Sequence, residues 1–99
     1  FDVILINLKI DDESCVNLSE NLYTELKRKK IDVLYDNTSE RTGIKFNKSD
    51  LLGIPYQIIV GNKYNLEKLI EIKNRKTNKA IDCSEDNILK NILNIIKDD

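Results

Sequence analysis

The segment spanning residues 3–8 is apolar at Val3, Ile4, Leu5, Ile6 and Leu8, with only Asn7 interrupting it. A strand built this way has no polar face for water, so it must be covered on both sides, as in a layered α/β sheet. Residues 2–10 are therefore read as a first strand. Asp11, Asp12 and Glu13 then supply cap and first-turn acids to a helix in which Cys15, Leu18, Leu22 and Leu26 keep helical spacing. Its basic end, Lys27-Arg28-Lys29-Lys30, complements the C-terminal dipole, which explains that run more simply than a nucleic-acid or targeting signal. Residues 31–36 follow at once as a second strand. Strand, helix and strand make a βαβ unit, for which a right-handed crossover is expected.

Further along, residues 37–43 read as a polar turn. Ile44, Phe46, Leu51 and Leu52 suggest a short helix that ends near Gly53. Pro55 opens a strong third strand over residues 56–60, which stops at Gly61-Asn62. Residues 69–74 alternate as another strand, and a short one is expected over 80–83. Ser84 is expected to cap a last helix carrying the stripe Ile88, Leu89, Ile92, Leu93 and Ile96. The fold class that follows is α/β: a mixed, mostly parallel five-stranded sheet flanked by three helices. No internal repeat or low-complexity segment interrupts it.

At 99 residues the chain has room for one core but not for two domains with an active site between them, so function is expected on a surface of a single domain, residues 1–99. It has no His, which removes the commonest general base and every Ser-His or Cys-His nucleophile. Cys15 and Cys83 lie far apart without companion ligands, so they read as core residues and no metal site is expected. Neither G-x-G-x-x-G nor a P-loop occurs. No catalytic residue is assigned. No apolar run reaches the length of a membrane span, and a cytoplasmic location is expected. The Asn-x-Ser matches at Asn17, Asn37 and Asn47 then carry no meaning as glycosylation acceptors. The start directly on a strand suggests a piece of a longer protein.

Charge is segregated along the chain. Residues 1–40 carry five Lys/Arg and nine Asp/Glu (−4), residues 41–79 nine and three (+6), and residues 80–99 two and five (−3), which together give the net −1. A basic centre framed by acidic flanks fits a selective phosphate-facing surface, and it equally fits a solvated Lys-rich face. With aromatics at 6% and no Trp, a many-ringed stacking platform is not expected.

The motifs decide between these. Asp36-Asn37-Thr38-Ser39-Glu40-Arg41-Thr42-Gly43-Ile44-Lys45-Phe46 is followed by Ser49-Asp50-Leu51-Leu52-Gly53-Ile54-Pro55-Tyr56, then Val60-Gly61-Asn62-Lys63 and Ile70-Glu71-Ile72-Lys73-Asn74-Arg75. In order and spacing, over essentially the whole chain, this series resembles the anticodon-binding domains of prolyl-tRNA synthetases. Threonyl-, histidyl- and glycyl-tRNA synthetases share the wider domain family and the turn before the third strand. The resemblance implies a domain that reads the anticodon loop of proline tRNA and performs no chemistry itself. It also implies a parent proline-tRNA ligase with its catalytic domain upstream, using ATP and magnesium and forming a homodimer. Neither DNA nor membrane is an expected partner.

Proline anticodons end in GG, and guanine presents N–H donors that a carboxylate can accept and O6 and N7 acceptors that a cation can satisfy. By resemblance, Asp50 takes the guanine-reading acid position and Lys63 the cation position. Gln57 stands where relatives usually carry Arg, without that residue's charge or fork. Lys73, Arg75, Asn47, Arg41 and Lys45 complete the expected RNA-binding set. For Asp36, Arg41 and Lys45, an ion pair that stabilises the turn explains the same residue types. Tyr56 is read as either core or a stacking ring. Two other readings compete. A signalling receiver would take Asp11 and Asp12 as its acidic pair, but it needs a phosphoacceptor Asp where the third strand ends in Val60-Gly61. An interaction module that keeps the fold but binds a protein stays open.

Overall fold

The computed structural model describes residues 1–97. The elements run β1 (Val3–Asn7), α1 (Glu13–Arg28), β2 (Val33–Asp36), α2 (Thr42–Leu52), β3 (Tyr56–Val60), α3 (Asn62–Glu67), β4 (Leu69–Asn74), β5 (Ala80–Ser84) and α4 (Ile88–Lys97). The five strands form one sheet in the order β2-β1-β3-β4-β5. β1 pairs in parallel with both β2 and β3, whereas β3–β4 and β4–β5 are antiparallel. The mixed α/β sheet is thus parallel on its β2-β1-β3 side and antiparallel on the other. The described residues contain four helices rather than the expected three. The addition is α3, a six-residue helix that the Gly61-Asn62 stop signal concealed.

β1 is an interior strand, paired on both edges, and all five of its residues are buried, as its dense apolar pattern requires. Alternation sends Val3 and Leu5 into the larger core, together with Cys15, Leu18, Leu22 and Leu26 of α1, Ile88 and Ile92 of α4, and Tyr64 of α3. Ile4 and Ile6 point the other way, to Ile54, Phe46, Leu34 and Leu8. Helices α1, α3 and α4 therefore cover one face, and α2 alone lies on the other. Asp12 caps α1 as expected, its Oδ1 accepting from the Cys15 amide at 3.0 Å. Cys15 and Cys83 are buried and unbridged.

Ser84 does not cap α4. It ends β5, where its carbonyl accepts from the Asn87 amide at 3.1 Å, and the helix is entered from Asn87, whose carbonyl accepts from Asn91 at 3.0 Å. The second helix also begins earlier than expected, at Thr42. It stops where Gly53 adopts a left-handed φ of 69° and returns its amide to the Asp50 and Ser49 carbonyls, a conformation glycine reaches without a Cβ penalty.

Candidate nucleic-acid interface

α2 is too narrow to cover its side of the sheet. It is bonded to β1, β2 and, through Ser49, to Gln57 of β3, while on the same face the rest of the β3–β5 half carries the cross-strand pairs Lys73-Ala80 and, with Ile59, Glu71-Asp82. This half-open face, bounded by the flank of α2, holds most of the residues expected to touch RNA.

The motif running from Asp36 to Phe46 is chiefly scaffold. Lys45 is 2% exposed, and its Nζ donates to the Asn7 carbonyl at 2.8 Å and lies 3.7 Å from Asp36 Oδ1. The Thr38 hydroxyl and amide donate to the same Asp36 oxygen at 2.8 and 3.2 Å. Lys48 binds Glu40 and lies 3.9 Å from Asp36 Oδ2. Glu40 consequently titrates below the usual carboxylate range and Lys48 above its own, each held charged first by the hydrogen bond to the other. The expectation that Lys45 contacts RNA is corrected: its ammonium is spent inside the protein, pinning α2 to β1 and β2. Gln57 is corrected similarly. It is 3% exposed, its Nε2 donates to Ser49 Oγ at 3.0 Å, and its Oε1 has no partner. Arg41 is exposed at the N-cap of α2 and makes no side-chain capping bond.

On the flank of α2 that borders the open face, the arrangement differs. Lys73 Nζ lies 6.0 Å from the centre of the Phe46 ring, and the Arg75 guanidinium is the group nearest to where a Gly53 Cβ would be, at 4.0 Å. Phe46 and Gly53 thus mark the flank of α2 that faces β4. Asp50 is four residues after Phe46 and three before Gly53, one helical turn from each, and Asn47 is one turn before Asp50. Asp50 and Asn47 are exposed, and among the described residues neither side chain has a hydrogen-bond or ionic partner. The structure therefore brings a free carboxylate and a free amide to the strip flanked by Lys73 and Arg75.

Lys63 is also on this side, but it is occupied. It sits in α3, donates to both oxygens of Asp82 at 3.1 and 3.3 Å, and lies 3.6 Å from Glu71. The Asp82 hydrogen bond, followed by the two negative charges, raises its pKa. Tyr56 is 4% exposed and belongs to the core. Lys76 was missed by the sequence reading. It extends the basic series beyond Arg75 on the exposed β4–β5 hairpin, and the signal was the clustering of cations after Ile72, at Lys73, Arg75, Lys76 and Lys79.

The family model that describes the anticodon binding domain matches residues 2–95. The chain belongs to the anticodon-binding domain family. Similar proteins include the proline–tRNA ligase of Rickettsia canadensis (strain McKiel), 44% identical over 97 residues, which are 98% of this chain and 22% of the relative. The enzyme of the same name from Rickettsia prowazekii (strain Madrid E) is 46% identical over 95 residues, 96% of this chain and 22% of its own length. That from Rickettsia rickettsii (strain Sheila Smith) is 51% identical over 77 residues, 78% of this chain and 18% of its own. The anticodon-binding domain described here thus spans about a fifth of the length of these curated relatives. Among its described residues no group of three or more His, Cys, Asp or Glu could hold a metal ion, and no helix is long and apolar enough to cross a membrane.

Proposed function

We propose that this anticodon-binding domain reads the anticodon of proline tRNA on behalf of a longer proline–tRNA ligase. Family membership and the names of the relatives support the class of RNA. The observation that carries the reading is Asp50, an exposed carboxylate with no protein partner among the described residues, set on a helix flank between Lys73 and Arg75. A splayed guanine laid against this strip would give its Watson–Crick N–H groups to Asp50, and a cation alongside would favour its O6 and N7. Lys63 would join only by leaving Asp82. Asn47, one turn before Asp50, would offer its amide beside the same base, and Arg41, exposed at the start of α2, would meet the loop backbone.

The parent enzyme, in this proposal, carries its catalytic domain before residue 1, uses ATP and magnesium there, works as a homodimer and resides in the cytoplasm. No residue of the present domain is assigned to those steps. The test is fluorescence anisotropy with two anticodon stem-loops, one carrying the proline GG and one with that pair replaced. Asp50→Ala should lower affinity for the first by about tenfold or more and leave the second nearly unchanged, since a good base contact discriminates on that scale. Equal losses on both RNAs would remove base reading from Asp50.

A further inference from the structure

The turn between α2 and β3 and the hairpin between β4 and β5 enclose a groove of about 430 Å³, lined by Gly53, Pro55, Tyr56, Asn74, Arg75 and Lys76. Its walls are tied together, because the Arg75 amide donates to the Pro55 carbonyl at 2.9 Å. The hairpin rim is also set by hydrogen bonds. Asn74 Oδ1 accepts from the amides of Lys76 at 2.9 Å and Thr77 at 3.2 Å, and Asn78 turns the chain at a left-handed φ of 59°. The groove is thus built before any ligand arrives, which lowers the ordering cost of binding. Pro55 and the edge of Tyr56 give it an apolar floor. On its rim, Arg75 and Lys76 are exposed and have no carboxylate partner among the described residues.

We propose that this groove seats one extruded nucleotide flanking the GG pair, its base over Pro55 and Gly53 and its phosphate on Arg75 and Lys76. The volume lies within the range of small-ligand sites. The mixture of an apolar floor and two free cations is what a nucleotide offers in reverse: a flat ring with an anionic tail. A bare phosphate would use the cations but not the floor, and an apolar ligand would leave the cations idle. The seat adjoins the Asp50 strip, because Gly53 ends the helix one turn after Asp50 and touches the Arg75 side of the groove. The assignment rests on the proposed reading of RNA by the same face.

The experiment uses the proline stem-loop, its GG-replaced counterpart, and versions made abasic one nucleotide at a time across the loop. Arg75→Gln and Lys76→Gln should each weaken binding about three- to tenfold on both GG and GG-replaced RNAs. Each should also reduce the slope of log affinity against log salt by about one. Abasic substitution should cost affinity at one nucleotide next to the GG pair as well as at the pair itself. An unchanged salt slope in Lys76→Gln would overturn the seat, and so would abasic losses confined to GG. Either failure leaves the Asp50→Ala comparison standing, whereas equal losses there would sink base reading without touching the salt slopes.

Discussion

The Lys45 ammonium lies 3.7 Å from Asp36 Oδ1, and both side chains are almost sealed from water, at 2% and 3% exposed. Such a pair is sustained by the hydrogen bonds around it. Here the Asn7 carbonyl takes one Lys45 proton and Thr38 donates to Asp36 Oδ1, while Oδ2 has no hydrogen bond and only the Lys48 charge 3.9 Å away. Removing one member strands a buried charge, at a cost of about 3–5 kcal/mol. Lys45→Met should therefore destabilise the chain by about that much in urea unfolding, and adding Asp36→Asn to it should recover part of the loss. If Lys45→Met unfolds at the wild-type midpoint, the pair is not what holds α2 in place.

Ser49 and Gln57 make a smaller polar pin on the same helix. The bond between them leaves Gln57 Oε1 unpaired, so the site is only half satisfied. Ser49→Ala or Gln57→Leu alone should cost about 1–3 kcal/mol by stranding the other partner, while the double substitution should be close to neutral. A double variant that costs the sum of the singles would count against this account. Because Gln57 is buried, its replacement should leave the difference in affinity between GG and GG-replaced stem-loops unchanged.

The residues of α2 also show where sequence reading succeeds and where it stops. The strands were legible because their apolar residues either run densely or alternate: residues 56–60 and 69–74 have the expected bounds, and the interior position of β1 follows from its lack of a polar face. In α2 the apolar residues mislead. Ile44, Leu51 and Leu52 are exposed, at 47%, 88% and 54%, and the buried positions are Lys45 and Ser49. A helix attached to its sheet by an ammonium and a hydroxyl has no apolar stripe for periodicity to find. For the same reason the candidate site divided. Asp50, Asn47 and Arg75 reach the surface as expected, whereas Lys45 and Gln57, chosen by motif position, are interior partners that no sequence spacing distinguishes from surface ones.

Asp82 holds the Lys63 ammonium, so in the proposed reading Lys63 reaches RNA only by leaving it. Its carboxylate receives the Lys63 ammonium at 3.1 Å on the open face, with Glu71 beside it. Asp82→Asn should free the cation and remove a negative charge from the RNA-facing side, raising affinity for both stem-loops about two- to fivefold at low salt, with the gain fading as salt screens it. The same change in a Lys63→Gln background should give a smaller gain. An equal gain in both backgrounds would mean that Asp82 acts by simple repulsion and not by holding Lys63.

The helix that carries Lys63 is itself held by a titratable contact. The Tyr64 hydroxyl donates to Glu85 Oε1 at 2.6 Å, and this bond, together with burial and the carboxylate charge, pushes the phenol up to about 12 from the ordinary 10. The folded pKa is raised, so the protonated phenol stabilises the fold fully below pH 10, and that stabilisation is lost as pH rises through about 12. In urea unfolding, Tyr64→Phe should be less stable than the wild type at pH 8 by about 1.5–3 kcal/mol, the scale of a hydrogen bond to a charged acceptor. Between pH 10 and 12 the wild type should lose its advantage and the two curves should converge. Other tyrosines and lysines titrate in both proteins over that window, so the difference between the curves isolates Tyr64. Curves that stay parallel would show that the Glu85 contact does not carry the stability of α3, and Lys63 would then need another anchor above the open face.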